Sequence, residues 1–159
     1  MGAELVRRRL AQMRRLDADI ATIDKDIAAK LEESETTLTE IPGVGPFVAA
    51  RILGEVGDPN RIRSRAAFGV ISGTAPLVAS SGRVARHRLN RQGNRKLNRA
   101  LFVVAMTQAR IHPEARAYMA RKRSEGKSYW EALRCLKRNL ANVIYRRLVE
   151  DATRLRSAA

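Results

Sequence analysis

An all-α fold is expected for this sequence: a long, coiled-coil-like N-terminal helix over residues 1–38, then a compact helical domain over residues 39–155. Three observations point there. Residues 3–38 contain neither Gly nor Pro and carry a seven-residue apolar repeat. Later segments space their apolar residues three and four apart, as one-sided helices do. Between them, residues 70–92 lose the helical period and fill with turn residues, which predicts one long serine-bearing loop with room for a short hairpin.

In the first helix Val6, Met13, Ile20 and Ile27 recur every seven residues. Leu16 and Ile23 follow three positions later, and Leu10 and Leu31 four later, giving an apolar stripe with charged flanks. Asp17 and Asp24 interrupt one row. A helix of this length cannot bury its stripe against itself. It packs on a second copy or folds back on its own domain, and a homo-oligomer through this helix is the favoured expectation. The polar run Glu32-Glu-Ser-Glu-Thr-Thr37 closes it, and a short helix ending at Pro42 is expected to follow.

Next comes Ile41-Pro-Gly-Val-Gly-Pro46, where Gly43 and Gly45 are free to take positive φ and reverse the chain tightly. Val48, Ala49, Ile52, Leu53 and Val56 then repeat at helical spacing. The arrangement resembles the helix-hairpin-helix, whose bare backbone lets amide groups at a helix start approach a phosphate. An ordinary turn between two helices would look the same. Ser64 is placed to cap a short third helix, and Glu55 and Asp58 form a loose pair read as structural.

From Asn94 to about Arg110 a helix is expected with Leu97, Leu101, Val104 and Gln108 on one face and Arg95, Lys96 and Arg99 in its first turns. The positive end of the helix dipole normally favours anions, so cations there suit a bound phosphate. Pro113 opens another helix. Ser128-Tyr-Trp-Glu131 fits a capping box ahead of a final helix to about Arg154, with Trp130, Leu133, Leu136, Leu140, Val143, Ile144 and Leu148 inward. Tyr145 and Cys135 are read as packing residues.

The charge of the 159-residue chain is lopsided. Residues 1–60 hold eight Lys/Arg against eleven Asp/Glu, and residues 61–159 hold twenty-three against five, so all of the net +15 arises in the second part. A polyanion is the natural partner for such a surface. Aromatic residues are 4%, too few for a binder built on base-stacking platforms. One cysteine and two histidines argue against an internal disulfide or a zinc site. No apolar run reaches membrane-spanning length and no secretory segment opens the chain, so a cytoplasmic location is expected, nucleoid-associated when bound to DNA, with no membrane partner.

The order of motifs carries a resemblance: the hairpin, then Gly73-Thr-Ala-Pro76 with Ser80-Ser-Gly-Arg83, then Arg91-Gln-Gly-Asn-Arg95 opening a helix. Over roughly residues 38–148 the chain resembles the C-terminal transposase domain (Transposase_20-like) of serine-dependent insertion-sequence transposases. These are the bridge-RNA-guided IS-one-ten class, whose N-terminal domain is a RuvC-like DEDD nuclease. The long first helix matches the coiled-coil arm between the two family domains. The resemblance implies that the serine before the glycine, Ser81, is the nucleophile that attacks the DNA backbone, with Ser80 as its alternative. An unactivated hydroxyl is a weak nucleophile near pH 7, so charge around the phosphate matters. Arg83, Arg86, Arg88, Arg91 and Arg95 are the candidates to neutralise that charge. Gly43, Gly45, Asn94, Lys96 and Arg99 complete the nucleic-acid-binding set.

The implied partners are DNA and a guide (bridge) RNA. No metal ligands and no cofactor are expected in this chain, Mg2+ belonging to the RuvC-like domain. The chain therefore reads as a C-terminal part that recombines little alone. Gly73-Thr74 and Ser-Ser-Gly-Arg depart from the bulkier residues and the Ser-Gly-Gly or Ser-Gly-Lys that other members carry. The alternative function is a non-catalytic helix-hairpin-helix module in which Ser80-Ser-Gly82 is only a turn.

Overall fold

The computed structural model describes residues 2–78, 87–88 and 93–158. The fold is all-α with one minimal β pair. In order, α1 spans Gly2–Glu33, a 3-10 turn Leu38–Glu40, α2 Pro46–Val56, a second 3-10 turn Pro59–Arg61 and α3 Arg65–Ile71. Strands β1 (Leu77–Val78) and β2 (His87–Arg88) follow, then α4 Arg95–Ile111, α5 Pro113–Ser124 and α6 Tyr129–Ala158. The strands are antiparallel, Leu77 opposite Arg88 and Val78 opposite His87, so the segment expected to be an extended loop contains a short hairpin ladder.

The chain divides into two units, residues 1–35 and 36–159. In the first, α1 exposes Leu5, Val6, Leu10, Met13, Leu16, Ile20 and Ile23, each about half open to solvent. The helix stops at Glu33 rather than at 38. Glu35 turns to φ 49, the left-handed region that breaks a helix, and Ser34 donates back to the Lys30 and Leu31 carbonyls.

The second unit opens with a cross-link far away in sequence. Asp151, on α6 and 7% exposed, accepts from Thr36 Oγ1 (3.1 Å), Thr37 Oγ1 (2.7 Å) and the Thr37 backbone amide (2.8 Å). Leu38, Ile41 and Val44 are then committed to the core, while only a 3-10 turn forms where a helix was expected before the hairpin.

The core lies where α6 meets α3, α4 and α5. Leu136, Leu140, Ile144 and Leu148 recur every four residues along its buried side. They share the interior with Phe68, Leu97, Leu101 and Val104. Tyr145 spans this core, stacking at 5.4 Å on Phe68 while its hydroxyl donates to the Ile62 carbonyl at 2.6 Å. The expected capping box forms: Glu131 accepts from the Ser128 amide and hydroxyl, both at 2.8 Å. Trp130 is not inward. It is 56% exposed, edge-on to Tyr129, because Ala132 and Leu133 take the buried side of that first turn.

Candidate nucleic-acid interface

The segment that carries the serines leaves and returns at one place. After α3 the chain turns through Ser72-Gly-Thr74, with Gly73 at φ 64 and the amides of Thr74 and Ala75 both donating to the Gly69 carbonyl at 2.8 Å. It returns at Gly93, whose backbone lies flat against Gly73. A Cβ on Gly93 would collide with the Gly73 amide nitrogen and come within 2.9 Å of the Ile71 carbonyl oxygen. The Asn94 amide donates to that same carbonyl at 2.6 Å. Asn98, one turn into α4, donates its side-chain amide to the carbonyls of Ser72 (2.7 Å) and Gly73 (3.0 Å). The two roots of the serine segment are thereby pinned together.

Asn94 also starts α4. Its Oδ1 accepts from the amides of Lys96 (3.0 Å) and Leu97 (2.9 Å), the bonds expected of an N-cap. Its Nδ2 donates to Glu55 Oε2 at 2.8 Å, tying α4 to the end of α2. Lys96 Nζ stands 3.5 Å and Arg51 3.8 Å from the same carboxylate. The Asn94 hydrogen bond foremost, then the neighbouring Lys96 and Arg51, hold the Glu55 carboxyl below its usual range against a modest burial cost. Asp58 does not pair with Glu55. It caps the second 3-10 turn by accepting from the Asn60 amide and side chain.

The electrostatics follow from the sequence around this root. Residues 59–113 hold eleven Lys/Arg and no Asp or Glu. The exposed Arg95, Lys96 and Arg99 thus have no carboxylate in their own stretch of chain. Glu55 engages only Lys96 among them. The remaining positive charge is available to an external anion.

The Pro42–Gly45 turn sits at the other end of α4. Gly43 has φ 83, and a Cβ there would press on the Thr107 side chain at 3.3 Å. Gln108 donates to the Pro42 carbonyl at 2.6 Å. Gly45, expected to share the left-handed conformation, instead has φ −82 and ψ 170 and serves as the N-cap of α2. Nothing lies within 4 Å of a Cβ built on it, so this helix start is open. Pro46 lacks an amide, and the Phe47 and Val48 amides in the first turn have no intrahelical carbonyl to meet. Since α2 runs back along α4, the hairpin and the basic turn at Asn94–Arg99 occupy opposite ends of the helix pair.

Of the residues singled out in the sequence, Gly43, Gly45, Asn94, Arg95, Lys96 and Arg99 take these positions, and Arg88 falls in β2. Ser80, Ser81, Arg83, Arg86 and Arg91 lie outside the described residues. Sequence reasoning passed over Asn98 and the role of Glu55. The spacing of Asn94 and Asn98, one helical turn apart on one face, was the available signal. Among the described residues no group of three His, Cys, Asp or Glu is placed to hold a metal, and no helix is long and apolar enough to cross a membrane. Glu55, Asp58, Glu131 and Asp151 are each engaged in caps or ties.

In sequence, this helical unit is similar to proteins encoded by insertion elements. The chain belongs to the transposase IS116/IS110/IS902 family, whose model matches residues 35–120. It is 36% identical over 117 residues to the 43.6 kDa protein of insertion element IS110 of Streptomyces coelicolor, covering 73% of this chain and 29% of that one. It is 29% identical over 156 residues to the 42 kDa protein of insertion element IS900 of Mycobacterium paratuberculosis, covering 96% and 39%. Against the 44.8 kDa protein of insertion element IS116 of Streptomyces clavuligerus the identity is 28% over 138 residues, covering 84% and 34%. The chain therefore spans about a third of the length of the curated relatives it matches.

Proposed function

We propose that this chain is the DNA-engaging, serine-bearing part of an insertion-sequence transposase, acting in strand cleavage and rejoining. The observation that carries the reading is the pinned root. The ends of the Ser80–Ser81 segment meet beside the first turns of α4, where Arg95 and Arg99 have no carboxylate in their own stretch of chain and Glu55 engages only Lys96. In the proposed step Ser81 Oγ bonds to phosphorus and loses its proton to water, while one sugar ester P–O bond breaks and the leaving oxygen takes up a proton from water to become a free hydroxyl. The phosphoserine keeps the bond energy for rejoining a different strand. Arg83, Arg86, Arg88, Arg91 and Arg95 offset the charge that builds on the phosphorane. The hairpin at Gly43–Gly45 supports the duplex elsewhere through the open start of α2. A guide (bridge) RNA is a second partner on the resemblance alone, and the cytoplasm is the expected setting.

Binding to duplex DNA should fall steeply as salt rises, because many phosphates are neutralised together. A flat response removes the nucleic-acid reading. In a reaction supplied with a RuvC-like DEDD domain, Ser81→Ala should abolish the covalent protein–DNA adduct seen on a denaturing gel. An undiminished adduct moves the assignment to Ser80, and an adduct that survives loss of both serines overturns it. The non-catalytic alternative keeps the salt dependence and yields no adduct with either serine intact.

The same reading gives α1 a second copy of itself as partner, its half-exposed stripe packing in a coiled coil. Sedimentation should show a dimer for the whole chain and a monomer for residues 36–159. A whole chain that stays monomeric at tens of micromolar refutes this role.

A further inference from the structure

We propose that Arg134, Lys137 and Arg138 of α6 bind a backbone phosphate of duplex DNA at the Ser72–Thr74 turn, a subsite distinct from both the hairpin and the first turn of α4. This rests on the DNA-binding reading and names cations of α6 that lie outside the quoted motifs. The three cations stand at i, i+3 and i+4, so they share one face of the helix. Two of them reach the same turn. Lys137 Nζ donates at 3.0 Å to Asn98 Oδ1, while Asn98 donates its own amide to the Ser72 and Gly73 carbonyls. Arg138 Nη1 stands 3.5 Å from Thr74 Oγ1, which in turn contacts the Ser72 hydroxyl at 3.0 Å.

The site is built rather than incidental. Arg138 lies across Gly69, where any Cβ would occupy the place of its guanidinium. Its side chain remains half-buried at the surface and so can face a ligand. Lys137 is 6% exposed and has no carboxylate within ion-pair distance among the described residues. Burial, with the neighbouring Arg134 adding to it, pushes the Lys137 ammonium down from the ordinary lysine range. An unpaired buried cation is costly, and a methionine would fill the same space without that cost. Nor can the serine segment supply the missing charge, since residues 59–113 contain no Asp or Glu. Glu131, one turn before Arg134, is engaged by Ser128. What remains is an anion from outside, and a phosphate suits the set. Arg138 offers a planar pair of donors, Lys137 a point charge, and the part-exposed Thr74 a neutral hydroxyl beside them.

The test measures affinity for a labelled duplex across a salt series, using the whole chain, Arg134→Gln/Arg138→Gln and Lys137→Met. Each variant should weaken binding equally for all sequences and lower the log–log salt slope by about 1, the signature of one lost phosphate contact. Lys137→Met should keep a melting temperature close to that of the unaltered chain, since removal of the buried charge offsets the lost hydrogen bond to Asn98. A merely structural lysine would instead lower the melting temperature and leave the slope alone. If the unaltered chain shows no salt-dependent binding, the DNA reading itself fails. If it binds steeply and both variants match it in slope and affinity, this subsite is refuted while that reading stands. Variants that lose affinity for a single-stranded RNA of the same sequence but keep it for the duplex overturn the assignment to DNA.

Discussion

Gly93→Ala should destabilise the helical unit by about 3 kcal/mol, the upper range for forcing atoms into a packed site. The added methyl meets the Gly73 backbone and the Ile71 carbonyl, and backbone cannot swing aside as a flexible side chain does. Relief requires separating the two roots of the serine segment, which breaks the Asn94–Ile71 bond and draws Asn98 from the Ser72 and Gly73 carbonyls. Urea unfolding monitored by helical circular dichroism measures the loss, and hydrogen exchange at the Asn94 amide shows whether the root has opened. Gly45→Ala is the contrast. Its φ is −82 and the space around it is empty, so the same substitution should cost under about 1 kcal/mol. Equal losses at the two positions would contradict this account of the root.

Asp151→Ala should cost about 3 kcal/mol for a different reason. The carboxylate is buried and accepts three hydrogen bonds from Thr36 and Thr37, so its loss strands a backbone amide and two hydroxyls. Arg147, which reaches Thr37 Oγ1 at 3.2 Å and Glu40 at 2.7 Å, keeps part of the junction in place and limits the damage. Chemical denaturation of residues 36–159 and of the whole chain should give the same decrement, because donors and acceptor lie in one unit. A loss under about 0.5 kcal/mol, the level of an ordinary surface change, would show that the junction is held by apolar packing alone.

The helices were legible in the sequence because their signals are local. The Ser128–Glu131 box, Ser64, Pro113 and the four-residue rhythm of Leu136, Leu140, Ile144 and Leu148 act within a turn or two of themselves. Long-range choices were not legible. Asp151 captures Thr36 and Thr37 from the far end of the chain, and nothing in Glu32–Thr37 announces it, so α1 was drawn too long. Trp130 obeys an apolar pattern that its neighbours Ala132 and Leu133 satisfy instead. The candidate site divides in the same way. Asn94, Arg95, Lys96 and Arg99 were found from a basic helix start. Glu55 and Asn98 matter through partners on other helices, and so does the Gly93–Gly73 contact, which periodicity does not report. The serines were singled out by motif order.

The anchoring of α4 at both ends sets a length. Thr107 meets the hairpin at Gly43, and Asn94 and Lys96 meet Glu55 thirteen and eleven residues away at the start of the same helix. At the standard rise of a helix those two points are about 18 Å apart, which is the axial span of about five base pairs of duplex. Under the proposed duplex contacts, helix α4 would act as a caliper: a duplex touching both ends would be gauged to that interval, and one extra turn of helix would set the contacts out of step with the phosphates.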